Sequence, residues 1–120
     1  MALKKLLQRL TPTPVTELDQ KRLREFCTGL ADVTPINQLR SRCEAAVVGE
    51  ITSLRIVPHE GSPWLEATIS DGTGSLVVMW TGRRRIAGVA PGRRLIVSGR
   101  GSPYGKQGRL RLLNPRYELL

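Results

Sequence analysis

From Cys43 onward, apolar side chains recur at every second position. Ala45, Val47, Gly49 and Ile51 form one set, and Leu54 and Ile56 continue it. Leu65, Ala67 and Ile69 repeat the pattern, followed by Leu76, Val78 and Trp80, then Leu95, Val97 and Gly99. Leu110, Leu112 and Leu119 close the series. A period of two places such residues on one face of a strand, so this part of the chain must fold as a sheet with one buried side. The punctuation agrees. Pro58 and the cluster His59-Glu60-Gly61-Ser62-Pro63 end the first run. Asp71-Gly72-Thr73-Gly74 lies between two apolar runs and signals a tight hairpin. Residues 82–89 read as a short helix or irregular link closed by Gly88 and Pro91-Gly92, and residues 102–108 as a polar, Gly-rich loop. Gly49, inside the first strand, predicts a bulge or bend.

The count is five strands, with a link between the third and fourth and a long first strand bent at a glycine. That order predicts a mainly β chain: a five-stranded Greek-key OB-fold barrel. The barrel is expected over residues 41–120, preceded by a helical extension over residues 1–40. Leu3, Leu6, Leu7 and Leu10 form one helical stripe, with Lys4, Lys5, Gln8 and Arg9 on the other face. Thr11-Pro12-Thr13-Pro14 ends that piece, since each proline disfavours helix in the residue before it. Thr16 reads as the cap of a second helix over residues 17–30, with Leu18, Phe26 and Leu30 as its apolar stripe. Thr34-Pro35 predicts a further short helical turn, with proline at its first position.

The charge is concentrated. Residues 72–117 hold ten basic side chains and no acidic one, while the whole chain has 19 basic and 10 acidic residues, so the excess of +9 lies entirely in this stretch. A fixed positive surface on a β domain is what a phosphate backbone attracts. Arginine outnumbers lysine fifteen to four. Bidentate phosphate contacts favour such a bias, and a GC-rich genome explains it equally well. The chain length of 120 residues suits one compact domain. Cys27 and Cys43 form no CxxC pair and are too few for a disulfide scaffold, which points to a reducing setting. Neither a membrane-spanning run nor a secretion signal is present, so a cytoplasmic location is expected.

Several pieces, taken in order, carry a resemblance. They are Val47-Val48-Gly49-Glu50-Ile51, Asp71-Gly72-Thr73-Gly74, Trp80-Thr81-Gly82-Arg83-Arg84-Arg85-Ile86-Ala87-Gly88, Pro91-Gly92, Val97-Ser98-Gly99-Arg100 and Asn114-Pro115-Arg116-Tyr117-Glu118-Leu119. Across residues 44–119 the chain resembles the small actinobacterial OB-fold nucleic-acid-binding proteins, and more distantly it is similar to the wedge domain of the RecG branch-migration helicase. The resemblance implies the fold and a nucleic-acid role. Helicase motifs are absent, so no motor function is carried over.

OB barrels commonly bind across the face of strands 2 and 3, between the loops joining strands 1–2 and 4–5. Such a site needs positive charge for the backbone and aromatic faces for bases. With Leu65, Ala67 and Ile69 inward, Trp64, Glu66, Thr68 and Ser70 point out; with Leu76, Val78 and Trp80 inward, Val77, Met79 and Thr81 point out. Trp64 and Tyr104 are then the stacking candidates, one near each flanking loop. Strand parity sends Arg94, Arg100, Arg109 and Arg111 outward, with Arg83, Arg84 and Arg85 on the link and Lys106 at a loop tip. Each has a plainer reading: Trp64 follows Pro63 and could simply cap the barrel, and the three consecutive arginines could be solvated surface. Trp80 is expected in the core and Tyr117 against the barrel's base. Glu66 on the face opposes a phosphate. Five aromatic residues are few for base stacking, so the expected binding is backbone-dominated, weakly sequence-selective and strongly salt-dependent.

No catalytic constellation stands out. His59 is the single histidine, in a loop, without the partners of a metal site. The glycines of residues 99–105 do not fit dinucleotide or phosphate-loop spacing. Asp71 is explained by its hairpin. The expectation is therefore a non-catalytic protein without cofactor or metal, binding single-stranded or branched DNA, or RNA. The rival reading is a protein-docking or homo-oligomerisation module that uses the leucine stripe of residues 3–10 and outward Val77, Met79 and Ile96. A third is a membrane-surface domain held by its first ten residues.

Overall fold

The computed structural model describes residues 14–28 and 32–120. Among them, seven strands form one curled, mixed sheet: β1 (Glu44–His59), β2 (Ser62–Ser70), β3 (Ser75–Thr81), β4 (Arg94–Arg100), β5 (Ser102–Tyr104), β6 (Arg109–Leu113) and β7 (Arg116–Leu119). Their order is β5-β6-β3-β2-β1-β4-β7. The β3–β6 pair is parallel and the others are antiparallel. Helix α1 (Pro14–Thr28) and a 3₁₀ turn at Ile36–Gln38 precede the sheet. The leucine stripe of residues 3–10 lies outside the described residues.

The expected count of five strands is corrected to seven, for two local reasons. Asn114 adopts a φ of 48° and Pro115 follows, so the predicted last strand breaks in two. Its first half, β6, joins β3, and its second half, β7, joins β4. The expected loop over residues 102–108 begins as a strand, because Ser102–Tyr104 pairs with β6. Pro103 is tolerated there since β5 is an edge strand.

Strand β1 organises the sheet. Its first half, Glu44–Glu50, pairs with β4, and its second half, Glu50–His59, pairs with β2. The register slips between Ile51 and Ser53, so the bulge falls at Thr52 and not at Gly49. Gly49 serves a different need: a Cβ there would lie 3.0 Å from the Ser70 carbonyl oxygen. Glu60 and Gly61, with φ of 49° and 78°, make a two-residue primed turn that joins β1 tightly to β2.

The alternation reads true through β2, β3 and β4. Leu65, Ala67, Ile69, Leu76, Val78, Trp80, Leu95 and Val97 share one buried core with Val47, Ile51 and Leu112. Full burial of each such aliphatic chain contributes about 1.5–3 kcal/mol. Trp80 donates its indole N–H to the Pro115 carbonyl at 3.3 Å. Tyr117 packs edge-on to Trp80 at 5.6 Å between centroids but stays 39% exposed. The link after β3 is irregular, not helical, and adds Ile86 and Val89 to the core.

Asp71 ties the β2–β3 hairpin to the 3₁₀ turn. Its Oδ2 accepts the Ile36 N–H at 2.8 Å. Its Oδ1 accepts the Thr73 N–H at 2.9 Å, the Thr73 hydroxyl at 2.6 Å and the Gly74 N–H at 3.2 Å. The turn follows Thr34-Pro35 as expected, with Pro35 at the capping position instead of inside it. Helix α1 begins at Pro14, so Thr16 lies within the helix and does not cap it. It buries Leu23 against Val48, with Val33 and Ile96 alongside. Of the predicted stripe, Phe26 is exposed; the side chains of Leu18 and Leu30 fall outside the described part of the chain.

Candidate nucleic-acid interface

A groove of about 500 Å³ crosses the outer face of the sheet. Thr68 of β2 and Ser75 and Val77 of β3 form its floor, because they alternate with the buried positions of their strands. Ile36 and Leu39 wall one side; Tyr104, Arg109 and Leu110 of the β5–β6 hairpin wall the other. A smaller hollow of about 290 Å³ adjoins at the hairpin tip, lined by Tyr104, Gly105, Lys106, Gln107 and Arg109. Gly105 and Gly108, with φ of 70° and 68°, let the tip turn sharply.

Arg111 stands beside Val77 on the same face, since the two are register partners. Its guanidinium carbon lies 5.2 Å from the Tyr104 ring centroid. One terminal nitrogen donates to the Met79 sulfur at 3.5 Å, and its buried Nε finds no acceptor. A guanidinium offers five donors, and here a thioether and an aromatic ring are its neighbours. Such an arrangement leaves the Arg111 guanidinium without a counter-charge among the described residues. None of Lys106, Arg109 or Arg111 makes an ion pair with a carboxylate among the described residues.

The other predicted residues fall into separate places. Trp64 is half-buried near the far end of β2, its ring 4.1 Å from that of His59 and tilted by 41°. Arg83, Arg84 and Arg85 are exposed on the link. The Gly82 N–H donates to the Pro63 carbonyl at 2.8 Å, which starts that link beside the hairpin carrying Trp64. Arg94 lies away from the groove, between Glu50 at 3.5 Å and the Phe26 ring at 4.5 Å. Arg100 lies at the opposite end of β4, 3.9 Å from Glu44, which also takes Arg116 at 2.7 Å. Thus the stretch over residues 72–117 is acid-free in sequence but not in space: β1 supplies the carboxylates that meet Arg94, Arg100 and Arg116.

Glu66 is also accounted for. Arg55 forms a two-pronged pair with it, at 2.7 and 3.2 Å, and that hydrogen bonding raises the Arg55 pKa above its ordinary value. Met79 is buried and Ile96 is partly covered by α1, so of the three outward apolar residues expected to offer a docking surface only Val77 lines an open groove. Sequence reasoning missed Arg40 and Arg42. No local signal marks them; an isolated bridge between Ser41 and Gly101 brings them to the start of β5. Among the described residues no three His, Cys, Asp or Glu side chains gather as a metal ion would require, and no helix is long and apolar enough to cross a membrane.

No protein-family model matches the sequence, and no curated protein matches it. Solved structures do. RecG, in a structure bound to a three-way DNA junction, is similar over 73% of this chain and 12% of its own, with a TM-score of 0.56 and 18% identity. A replication factor A related protein from Methanobacterium thermoautotrophicum is similar over 75% of this chain and 92% of its own, with a TM-score of 0.55 and 19% identity. The match thus spans only a small part of the RecG chain. The likeness is one of fold, and it makes this chain a distant structural relative of RecG and of the replication factor A related protein.

Proposed function

We propose that this chain is a non-catalytic domain that binds nucleic acid, with an unpaired strand of DNA or RNA lying in the groove over β2 and β3, between Ile36 and Leu39 on one side and the β5–β6 hairpin on the other. One observation carries the reading: the Tyr104 ring and Arg109 line the groove, Lys106 lines the hollow beside it, Arg111 lies 5.2 Å from that ring, and no carboxylate pairs with these cations among the described residues. The phosphate backbone supplies most of the affinity and the ring supplies a stacking surface indifferent to base identity. Arg83, Arg84, Arg85 and Trp64 extend the same outer surface toward the β1–β2 hairpin and belong to the longer path of the strand. Arg94 and Arg100 contribute less, because each already faces a carboxylate. The fold of the solved relatives supports the reading, since one of them is held on a DNA junction and the other is related to a replication factor.

The test is fluorescence anisotropy of a short labelled single-stranded DNA, titrated at several salt concentrations, with RNA and duplex forms beside it. Micromolar or tighter binding whose logarithm falls linearly with log salt supports the groove. Failure to bind any of them at low salt, despite a charge of +9, overturns it.

A further inference from the structure

A second basic surface adjoins the groove and differs from it in chemistry. Leu39 lines the groove, and the next residue, Arg40, is exposed just beyond it. The Arg42 N–H donates to the Gly101 carbonyl at 2.8 Å, which fixes the 40–42 segment against the start of β5. Arg100 and Arg116 stand nearby, their side chains 73% and 78% exposed, on either side of Glu44. Arg100 and Arg116 therefore share one carboxylate, itself half exposed, while the exposed Arg40 and Arg42 make no ion pair with a carboxylate among the described residues. No aromatic ring belongs to this patch. Ser102, which follows Gly101, is the register partner of Arg111 and so joins the patch to the β5–β6 hairpin that walls the groove.

Resting on the nucleic-acid reading above, we propose that this patch holds the phosphate backbone of a paired region while the groove holds the unpaired strand running from it. The preferred ligand is then a duplex with a single-stranded tail, bound across the boundary. The groove offers the aromatic face of Tyr104, which only an unstacked base can use. The patch is open and offers only charge, which reads phosphates without regard to pairing. Their adjacency across β5 places one strand's two states side by side.

The experiment compares a tailed duplex, the tail alone and a blunt duplex, using the protein and its Arg40→Gln/Arg42→Gln and Arg100→Gln/Arg116→Gln variants. The wild type is expected to bind the tailed duplex more tightly than the tail alone. Each double variant should lose that advantage while the tail is unaffected: the slope of log affinity against log salt for the tailed duplex should fall by about 1.8 for the Arg40/Arg42 pair and by less for the Arg100/Arg116 pair, whose cations already face Glu44. Equal losses on tail and tailed duplex would overturn the proposal, making the patch an extension of the single-strand path. Equal affinity of the wild type for tail and tailed duplex would also overturn it. Failure of the wild type to bind the tail at all would instead remove the groove reading itself. Matching thermal unfolding of wild type and variants keeps the comparison one of binding.

Discussion

The Arg111 guanidinium carbon stands 5.2 Å from the centre of the Tyr104 ring, and the same ring lines the groove. Ring and cation therefore act as one unit with two separable jobs. Tyr104→Ala should weaken single-strand binding by about 1–3 kcal/mol while leaving the salt slope unchanged. Arg111→Gln should lower the slope by about 0.7, one phosphate's worth on a single strand. Salt-series anisotropy on both variants separates the two effects.

Asp71 is buried and accepts four hydrogen bonds from Ile36, Thr73 and Gly74. Asp71→Ala strands those donors and should cost about 3 kcal/mol of stability. Urea denaturation followed by tryptophan fluorescence measures it. A loss below about 1 kcal/mol would mean that solvent replaces the carboxylate without penalty.

Two glycines offer a controlled contrast. Gly61 and Gly72 both have positive φ, but a Cβ at Gly61 meets open space while one at Gly72 lies 3.0 Å from the Gln20 carbonyl oxygen. Gly61→Ala should cost about 1 kcal/mol, the backbone term alone. Gly72→Ala should cost more and should loosen α1, seen as faster amide exchange across Gln20–Arg24.

Glu66 supplies the negative charge on the β2–β3 outer face, where Arg55 grips it. The pair is largely exposed on the Arg55 side, so Glu66→Gln should change stability by less than about 1 kcal/mol. The same substitution frees a cation along the path toward Trp64. Binding should tighten and its salt slope should steepen; a weakened complex would place the strand elsewhere.

The strands were legible because Leu65, Ala67 and Ile69, and then Leu76, Val78 and Trp80, each keep a strict period of two, and burial on one face enforces that period against every local preference. Thr52 escaped notice because a bulge is a slip between two strands, and a single strand's sequence does not contain its partner. Ser102–Tyr104 escaped because Pro103 and the glycines around it carry loop chemistry that an edge strand tolerates. The outward positions of Arg109 and Arg111 and the loop position of Lys106 were legible, since parity and loop position are local properties. The approach of Arg111 to the Tyr104 ring was not, nor was the pairing of Arg94, Arg100 and Arg116 with Glu50 and Glu44, because distance along the chain says nothing of distance across a sheet. Leu23, the residue that seats α1, fell outside the stripe because the helix touches the sheet along only a narrow contact.

The division of β1 between two partners has a consequence for biosynthesis. By the time Thr81 is made, β1, β2 and β3 can form their meander, yet the Glu44–Glu50 half of β1 has no neighbour until Arg94–Arg100 emerges. For that interval Val47 faces water and an unpaired backbone ladder lies open to other nascent chains. Helix α1, made earlier, can shield Val48 through Leu23 while the gap persists. Closure of β4 onto β1 is then the event that ends this exposure.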